Sequence, residues 1–388
     1  MKFSNRLSNS FKGDPIMWIV LLLLALYSLL AIYSATDVMA DSTGSTTLKF
    51  LVKQIVLLTA GVFFAYCCHW IRYTRYSSIA LPLLIFSFVL LVLVLLIGNE
   101  VNGAKRWIIL FGVSFQPSDL AKVALVMYLA RIISARQESI TKNKNVFWSL
   151  LIPVILICGA ILPNNLSTAA LLFINSIAIM FIGRIPFRYI ASIFGFGMIL
   201  FLIVLGVGYA FPSVSRAHTW VERLHSFTSK EESYQAMQGR IAIANGGLFG
   251  AGPGRSIQKS FLPYAHTDFI FAVILEEYGV IFGGLVLMGI YLALLFRCIR
   301  LVKRSPKTFG AMLAMGLCLN IVIQAFANFA VTVGLAPDTG VTLPIISAGG
   351  SSLILTCISF GIILSVSKYI ENITAAENAV KSMQPDVV

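Results

Sequence analysis

The chain has 388 residues, 58% of them apolar and only 12% charged, with a mean hydropathy of +0.88 and a formal net charge of +13. An ordinary soluble domain carries about twice that share of charge, so a soluble enzyme is excluded, and so are a disordered chain and a fibrous repeat. In a chain this apolar the positive charge reads as basic loops facing the cytoplasm and anionic lipid, and nucleic acid is not an expected partner.

Apolar runs near 16–36, 49–69, 79–98, 117–134, 147–163, 168–183, 189–211, 269–296, 311–334 and 351–370 predict ten membrane-spanning helices. The expected fold class is all-α: a polytopic membrane protein in one domain over 1–388, with tails at 1–15 and 371–388. The first run follows Lys2, Arg6 and Lys12 as a signal peptide would, but its length favours a retained helix. The fifth and sixth runs abut at Pro163-Asn164-Asn165, which suits either a tight helical hairpin or a broken helix. The segments that face inward when the N-terminus is inside hold 17 of the 29 Lys and Arg residues, which puts both termini in the cytoplasm.

One outer connection, about 212–268 between the seventh and eighth spans, is far longer than the others. Long connections in compact folds are usually functional. It has amphipathic patches around 219–245, then a Gly-rich stretch from Gly246 to Gly254. That stretch lacks the lysine of a P-loop. Its glycines suit either a flexible turn or the approach of backbone amides to a pyrophosphate. The six cysteines lie in or beside apolar runs and read as small buried hydrophobes. No internal repeat supports an inverted-repeat transporter.

Five of the sixteen acids lie within or at the mouths of apolar segments: Asp119, Asp268, Glu276, Glu277 and Asp338. An ionisable group there is costly and marks function or a structural ion pair. Asp119 and Lys122 share a helix face at i,i+3, so they form a salt bridge or offer Lys122 to an anionic group in a cavity. Lys105 and Arg106 stand beside Trp107 on the outer side. Asp268 lies where a polar run ending in His266 and Thr267 meets the apolar Phe269-Ile270-Phe271. A half-desolvated carboxylate there has a raised pKa, as a general base near neutrality needs. The alternative role is an N-cap for the eighth helix. Glu276 and Glu277 lie two turns deeper, and at most one of them shares the Asp268 cavity.

Five segments together carry a resemblance: NGAKRWI at 102–108, FQPSDLAK at 115–122, GGLFGAGPGRSIQKSFLP at 246–263, HTDFIFAVILEEYG at 266–279 and PDTGVTLPIISAGGSS at 337–352. They resemble the SEDS family (shape, elongation, division and sporulation) of ten-helix peptidoglycan polymerases, and the division branch more than the elongation branch. The resemblance implies polymerisation of lipid II on the outer membrane face, with release of undecaprenyl pyrophosphate. It places the essential carboxylate at Asp268 and a cavity pair at Lys122 and Asp119. It implies further substrate contacts at Arg106, His266, Thr267, Lys259, Gln238 and Ser347. It also implies a class B penicillin-binding protein and other division proteins as partners, the growing lipid-linked strand and membrane lipids as further contacts, and the septum as location. No resident cofactor follows, though magnesium or manganese would suit the pyrophosphate. The chain departs from the family pattern at Tyr264, at Asp119, across Asn164–Thr168 and at Ala348. A lipid II flippase and a non-catalytic division scaffold are the alternatives from other classes. A flippase calls for charges near the midplane, and a scaffold has no use for Asp268 at the boundary.

Overall fold

The computed structural model describes residues 12–36, 46–101, 104–110, 113–136, 144–210, 217–228, 234–263 and 265–383. Among the described residues seven helical segments are long and apolar enough to cross a membrane. They are α1 (Pro15–Ala35), α2 (Thr47–Trp70), α3 (Thr74–Ile97), α7 (Phe187–Ala210), the segment Ile270–Arg304, α12 (Thr308–Thr332) and α13 (Gly350–Met383). Two shorter apolar helices, α5 (Lys144–Ile161) and α6 (Leu166–Ile182), pack on each other as a hairpin. The tenth, α4 (Pro117–Ala135), carries Asp119, Lys122 and Arg131, which lower its hydropathy. Its residues are buried around the circumference, so neighbouring helices rather than lipid meet those charges. All ten expected spans are therefore present as helices.

Three departures from the sequence expectation have local causes. Where the sequence suggests a loop at 102–107, the described residues hold three short antiparallel strands, β1 (Asn99–Val101), β2 (Ala104–Leu110) and β3 (Val113–Phe115), and β2 carries Lys105, Arg106 and Trp107. Their β-branched and aromatic side chains favour strand. The C-terminal tail is not a tail up to residue 383, because α13 runs about three turns past its apolar stretch. The eighth span is not one regular helix. It is α10 (Ile270–Tyr278), a π-helical turn (Gly279–Leu285) and α11 (Val286–Arg304). Such insertions concentrate near functional sites.

Between α12 and α13 the chain is non-helical yet buried, with Val341, Leu343, Ile345 and Ile346 in the core. Carbonyls inside a bundle must find donors. Those of Thr339, Val341, Thr342, Pro344 and Ile346 accept from Ser167, Asn328, Gln324, Tyr291 and Ser28 at 2.7, 2.7, 2.9, 2.6 and 3.1 Å. Ile345 sits at φ +69°, a left-handed conformation unfavourable for a β-branched side chain. This segment is held by four helices and forms the floor against which Asp268 rests.

At the opposite end of the bundle, Asp14 caps α1 by accepting from Ile16 N and pairs with Arg297 at 2.6 Å. Lys368 lies over the Trp70 ring at 4.3 Å. All six cysteines are free thiols.

Candidate active site

Asp268 lies in the turn just before α10. The helix cap is Phe269, which makes no side-chain cap bond, so Asp268 does not serve as the N-cap. Its backbone is pinned instead. Asn328 on α12 donates from one amide nitrogen to Asp268 O at 2.8 Å and to Val341 O at 2.7 Å. Ala348 N donates to His266 O at 2.9 Å, and the Ser347 hydroxyl donates to Thr267 O at 2.6 Å. These bonds fix residues 266–268 to the buried segment. Gly340, at φ +64°, lets that segment come close: a Cβ there would sit 3.4 Å from Asp268 Oδ2.

Burial lifts the Asp268 carboxyl from its ordinary 3.8 to about 6. The charges of Arg106 and Arg223 oppose that rise, and the charge of Asp338 adds to it. Two carboxylates thus stand among two guanidiniums. Arg106 extends from β2 and donates to Asn164 O at 2.6 Å, while Asn164 returns a bond to Lys105 O at 2.7 Å. Asn165 caps α6 through Thr168 N. Residues 163–168, where the family pattern is broken, therefore anchor the strand that carries Arg106. Arg223 comes from α8 (Ala217–Thr228), a helix of the long connection. It donates to Asp338 O at 2.9 Å, and its guanidinium lies 5.6 Å from the Trp220 ring centroid. Sequence reasoning missed Arg223; the spacing Trp220-x-x-Arg223 on an amphipathic helix is the signal that marks it. Burial pushes the His266 imidazole toward its neutral form.

Lys122 and Asp119 form the salt bridge, at 2.8 Å, and Lys122 also donates to Gln324 at 3.2 Å. Gln324 in turn donates to Thr342 O at 2.9 Å. Gln324 and Asn328 are one turn apart on α12, so the lysine pair lies one turn along from the residue that holds Asp268. An ammonium has three donors, which leaves Lys122 one to offer into the cleft it lines with Asn320 and Ser352. The buried Asp119 Oδ2 has no hydrogen-bond partner among the described residues.

The remaining predicted contacts separate from this centre. The Ser347 hydroxyl is buried, donates to Thr267 and accepts from Leu343 N at 2.8 Å, so it positions the site rather than meeting substrate. Gln238 is buried on α9 (Tyr234–Gly246) next to Gly239, which packs at Phe269. Lys259, on the short turn Gln258–Ser260, donates to Gly254 O at 3.2 Å, and its charge acts on Glu277. Tyr264 lies outside the described residues.

The Gly-rich stretch is neither a flexible turn nor an open cradle. Its backbone pairs with the end of α10: Ala251 N and Gly252 N donate to Glu276 O and Glu277 O at 2.9 and 3.0 Å. A Cβ at Gly250, where φ is +88°, would lie 2.2 Å from Glu277 O. Glu276 accepts from Ser256, Ile257 N, Gln258 N and Asn245, and Glu277 accepts from Ser34 and Ser256 N. Both glutamates clasp the loop, and neither bonds to the Asp268 centre. Among the described residues no three His, Cys, Asp or Glu side chains gather as a metal site.

Fold and site together define a multi-pass membrane protein with two carboxylates and two guanidiniums gathered where its long connection meets the eighth span. The chain belongs to the cell cycle protein family FtsW/RodA/SpoVE, whose model matches residues 14–372. It is similar to the probable peptidoglycan glycosyltransferase FtsW of Trichlorobacter lovleyi, 35% identical over 91% of this chain and 93% of that protein. It is also similar to stage V sporulation protein E of Bacillus subtilis, 34% identical over 92% and 97%. Among solved structures it resembles a chain of a peptidoglycan synthase complex that coordinates polymerization and crosslinking (TM-score 0.73, 25% identity, 92% and 98% covered). It resembles the rod shape determining protein RodA of Thermus thermophilus as well (TM-score 0.67, 26% identity, 92% and 97% covered).

Proposed function

We propose that this protein is a peptidoglycan glycosyltransferase that polymerises lipid II on the outer face of the cytoplasmic membrane during septal wall synthesis. Relatives named for that activity support the reading at about a third identity over nine-tenths of the chain. The observation that carries the mechanism is the Asp268 carboxyl, half-buried, raised to about 6 and flanked by Arg106 and Arg223. A base of that strength is mostly ionised at neutral pH yet takes a proton readily.

Asp268 accepts the proton of the sugar 4-hydroxyl on the acceptor lipid II. The freed oxygen bonds to the anomeric carbon of the donor strand as the bond from that carbon to the pyrophosphate oxygen breaks. Configuration inverts, undecaprenyl pyrophosphate leaves with the electron pair, and Asp268 releases its proton to water. Arg106, Arg223 and the remaining donor of Lys122 stabilise charge growing on the leaving group. His266 and Thr267 border the base. Lys259, partly exposed on the long connection, is a further proposed substrate contact outside this centre, whereas Gln238 is buried and not placed to meet substrate. Magnesium or manganese, where bound, would be held through one or two carboxylates and the pyrophosphate oxygens rather than by a cage of side chains, and would share the charge of the leaving group.

The distribution of Lys and Arg supports cytoplasmic termini and an outward-facing Asp268 centre. The whole chain acts as one domain, with a class B penicillin-binding protein as the cross-linking partner alongside other division proteins. The test is polymerisation of fluorescent lipid II by purified protein, with and without that partner, read on a glycan-length gel. Wild type gives a ladder and Asp268→Ala gives none. An equal ladder from both overturns the assignment of the base.

A further inference from the structure

The end of the bundle opposite Asp268 holds a cavity of about 400 Å³ that the proposed reaction does not use. Arg297, Arg300 and Arg304 project into it from one face of α11, at i, i+3 and i+7. The start of α1 closes a second side and α13 a third. Both acids that line the cavity are already engaged. Asp14 is bound to Arg297 at 2.6 Å, and Glu371 accepts from Gly13 N at 2.6 Å. Arg300 rests against the Phe296 ring at 4.5 Å, and Arg304 is exposed. Among the described residues neither of these two pairs with a carboxylate.

The cavity therefore carries two uncommitted guanidiniums. The positive end of the α1 dipole adds to them. The negative C-terminal end of α11 lies at the same cavity, and Lys303 and Arg304 in its last turn offset it. Buried Leu301 and Ile370 form the apolar part of the wall. Two forked guanidiniums at the level where helices leave an apolar layer match phosphate oxygens, which they bind in pairs. Exposed Asn378 lines the same cavity and adds a polar amide to its wall. We propose that this cavity binds the phosphodiester headgroup of an anionic phospholipid from the inner leaflet, with Arg300 and Arg304 holding the phosphate. The inference rests on the orientation proposed above and is independent of the glycosyltransferase assignment.

The test uses the full chain in a neutral detergent, titrated separately with phosphatidylglycerol, phosphatidylcholine and inorganic phosphate. Native mass spectrometry reads bound lipid, and thermal unfolding reads the stability shift. Wild type is compared with Arg300→Gln/Arg304→Gln and with Lys303→Gln/Lys307→Gln, which removes the same charge next to the cavity. Wild type and the lysine pair should retain phosphatidylglycerol over phosphatidylcholine, and the arginine pair should bind it more weakly, on the order of tenfold. Arg300→Lys/Arg304→Lys keeps the charge, loses the fork and should fall between them; it serves if the glutamine pair does not fold. Equal retention by the arginine variants, or no preference in wild type, overturns the proposal. Displacement of the lipid by inorganic phosphate at similar concentration overturns the lipid assignment in favour of a soluble phosphate ligand. Binding in detergent does not depend on sidedness, so an error in orientation would show separately, as outside labelling of Asn378→Cys in cells.

Discussion

Replacing Asp268 by asparagine should abolish polymerisation and yet stabilise the fold. The carboxyl titrates near 6 in the protein and near 3.8 in an exposed chain, and the difference of about two pH units corresponds to roughly 3 kcal/mol. This is a ceiling, because the group is only half-buried. It is already net of the attraction of Arg106 and Arg223 and the repulsion of Asp338. The sign follows from linkage. The folded state binds the proton more tightly than the unfolded state, so folding is relatively favoured below about pH 4. That advantage is lost as pH rises to about 6, and above it the ionised carboxylate imposes its full cost. Asparagine has no such cost. In detergent, Asp268→Asn and wild type should melt together near pH 4, whereas near pH 8 the variant should melt a few degrees higher. A variant that is less stable at pH 8, or a difference that does not change with pH, would refute the claim that burial dominates at this carboxyl.

Four further outcomes follow from the same geometry. The rate of polymerisation should fall below about pH 6 as Asp268 takes up its proton. Arg223→Gln should move that fall to higher pH and Asp338→Asn to lower pH, since their charges act on Asp268 in opposite directions; a pH–rate series on each variant reads the shift. Asn328→Leu removes both bonds that hold Asp268 and Val341, and it should lower kcat by about ten- to a hundredfold while the protein still inserts and binds detergent normally. Gly250→Ala forces a Cβ against Glu277 O from a left-handed backbone, and it should destabilise the long connection by about 2 kcal/mol or more, visible as faster proteolysis there.

Seven of the ten helices were legible because each is an apolar run long enough to cross hydrocarbon; α5 and α6 are shorter and α4 carries charges, and their apolar composition alone marked them. Asp268 was legible for a related reason: a carboxylate at a polar–apolar boundary stands out when acids are few. The residues that hold it were not. Gln324 and Asn328 belong, with Asn320 and Thr332, to a stripe four residues apart down an apolar helix, but the carbonyls they serve, Thr342 and Val341, lie in the buried segment beyond that helix. Arg223 is one of six cations in a long connection, and only the packing of α8 brings it to Asp338. The Gly-rich stretch was ambiguous because glycine permits both looseness and close approach. The carbonyl oxygens of Glu276 and Glu277 decide between them, and backbone positions are not written in a residue pattern.

The buried segment between α12 and α13 also sets the order in which the molecule becomes complete. Ser28 on α1 and Ser167 on α6 are made early, and the carbonyls they serve, Ile346 and Thr339, leave the ribosome much later. Tyr291, Gln324 and Asn328 wait in the same way for Pro344, Thr342 and Val341. Until then those polar side chains face apolar surroundings without their final acceptors. A nascent chain stopped before residue 339 would leave these five side chains without their native carbonyl acceptors, so about the last eighth of the sequence completes the polar interior of everything inserted before it.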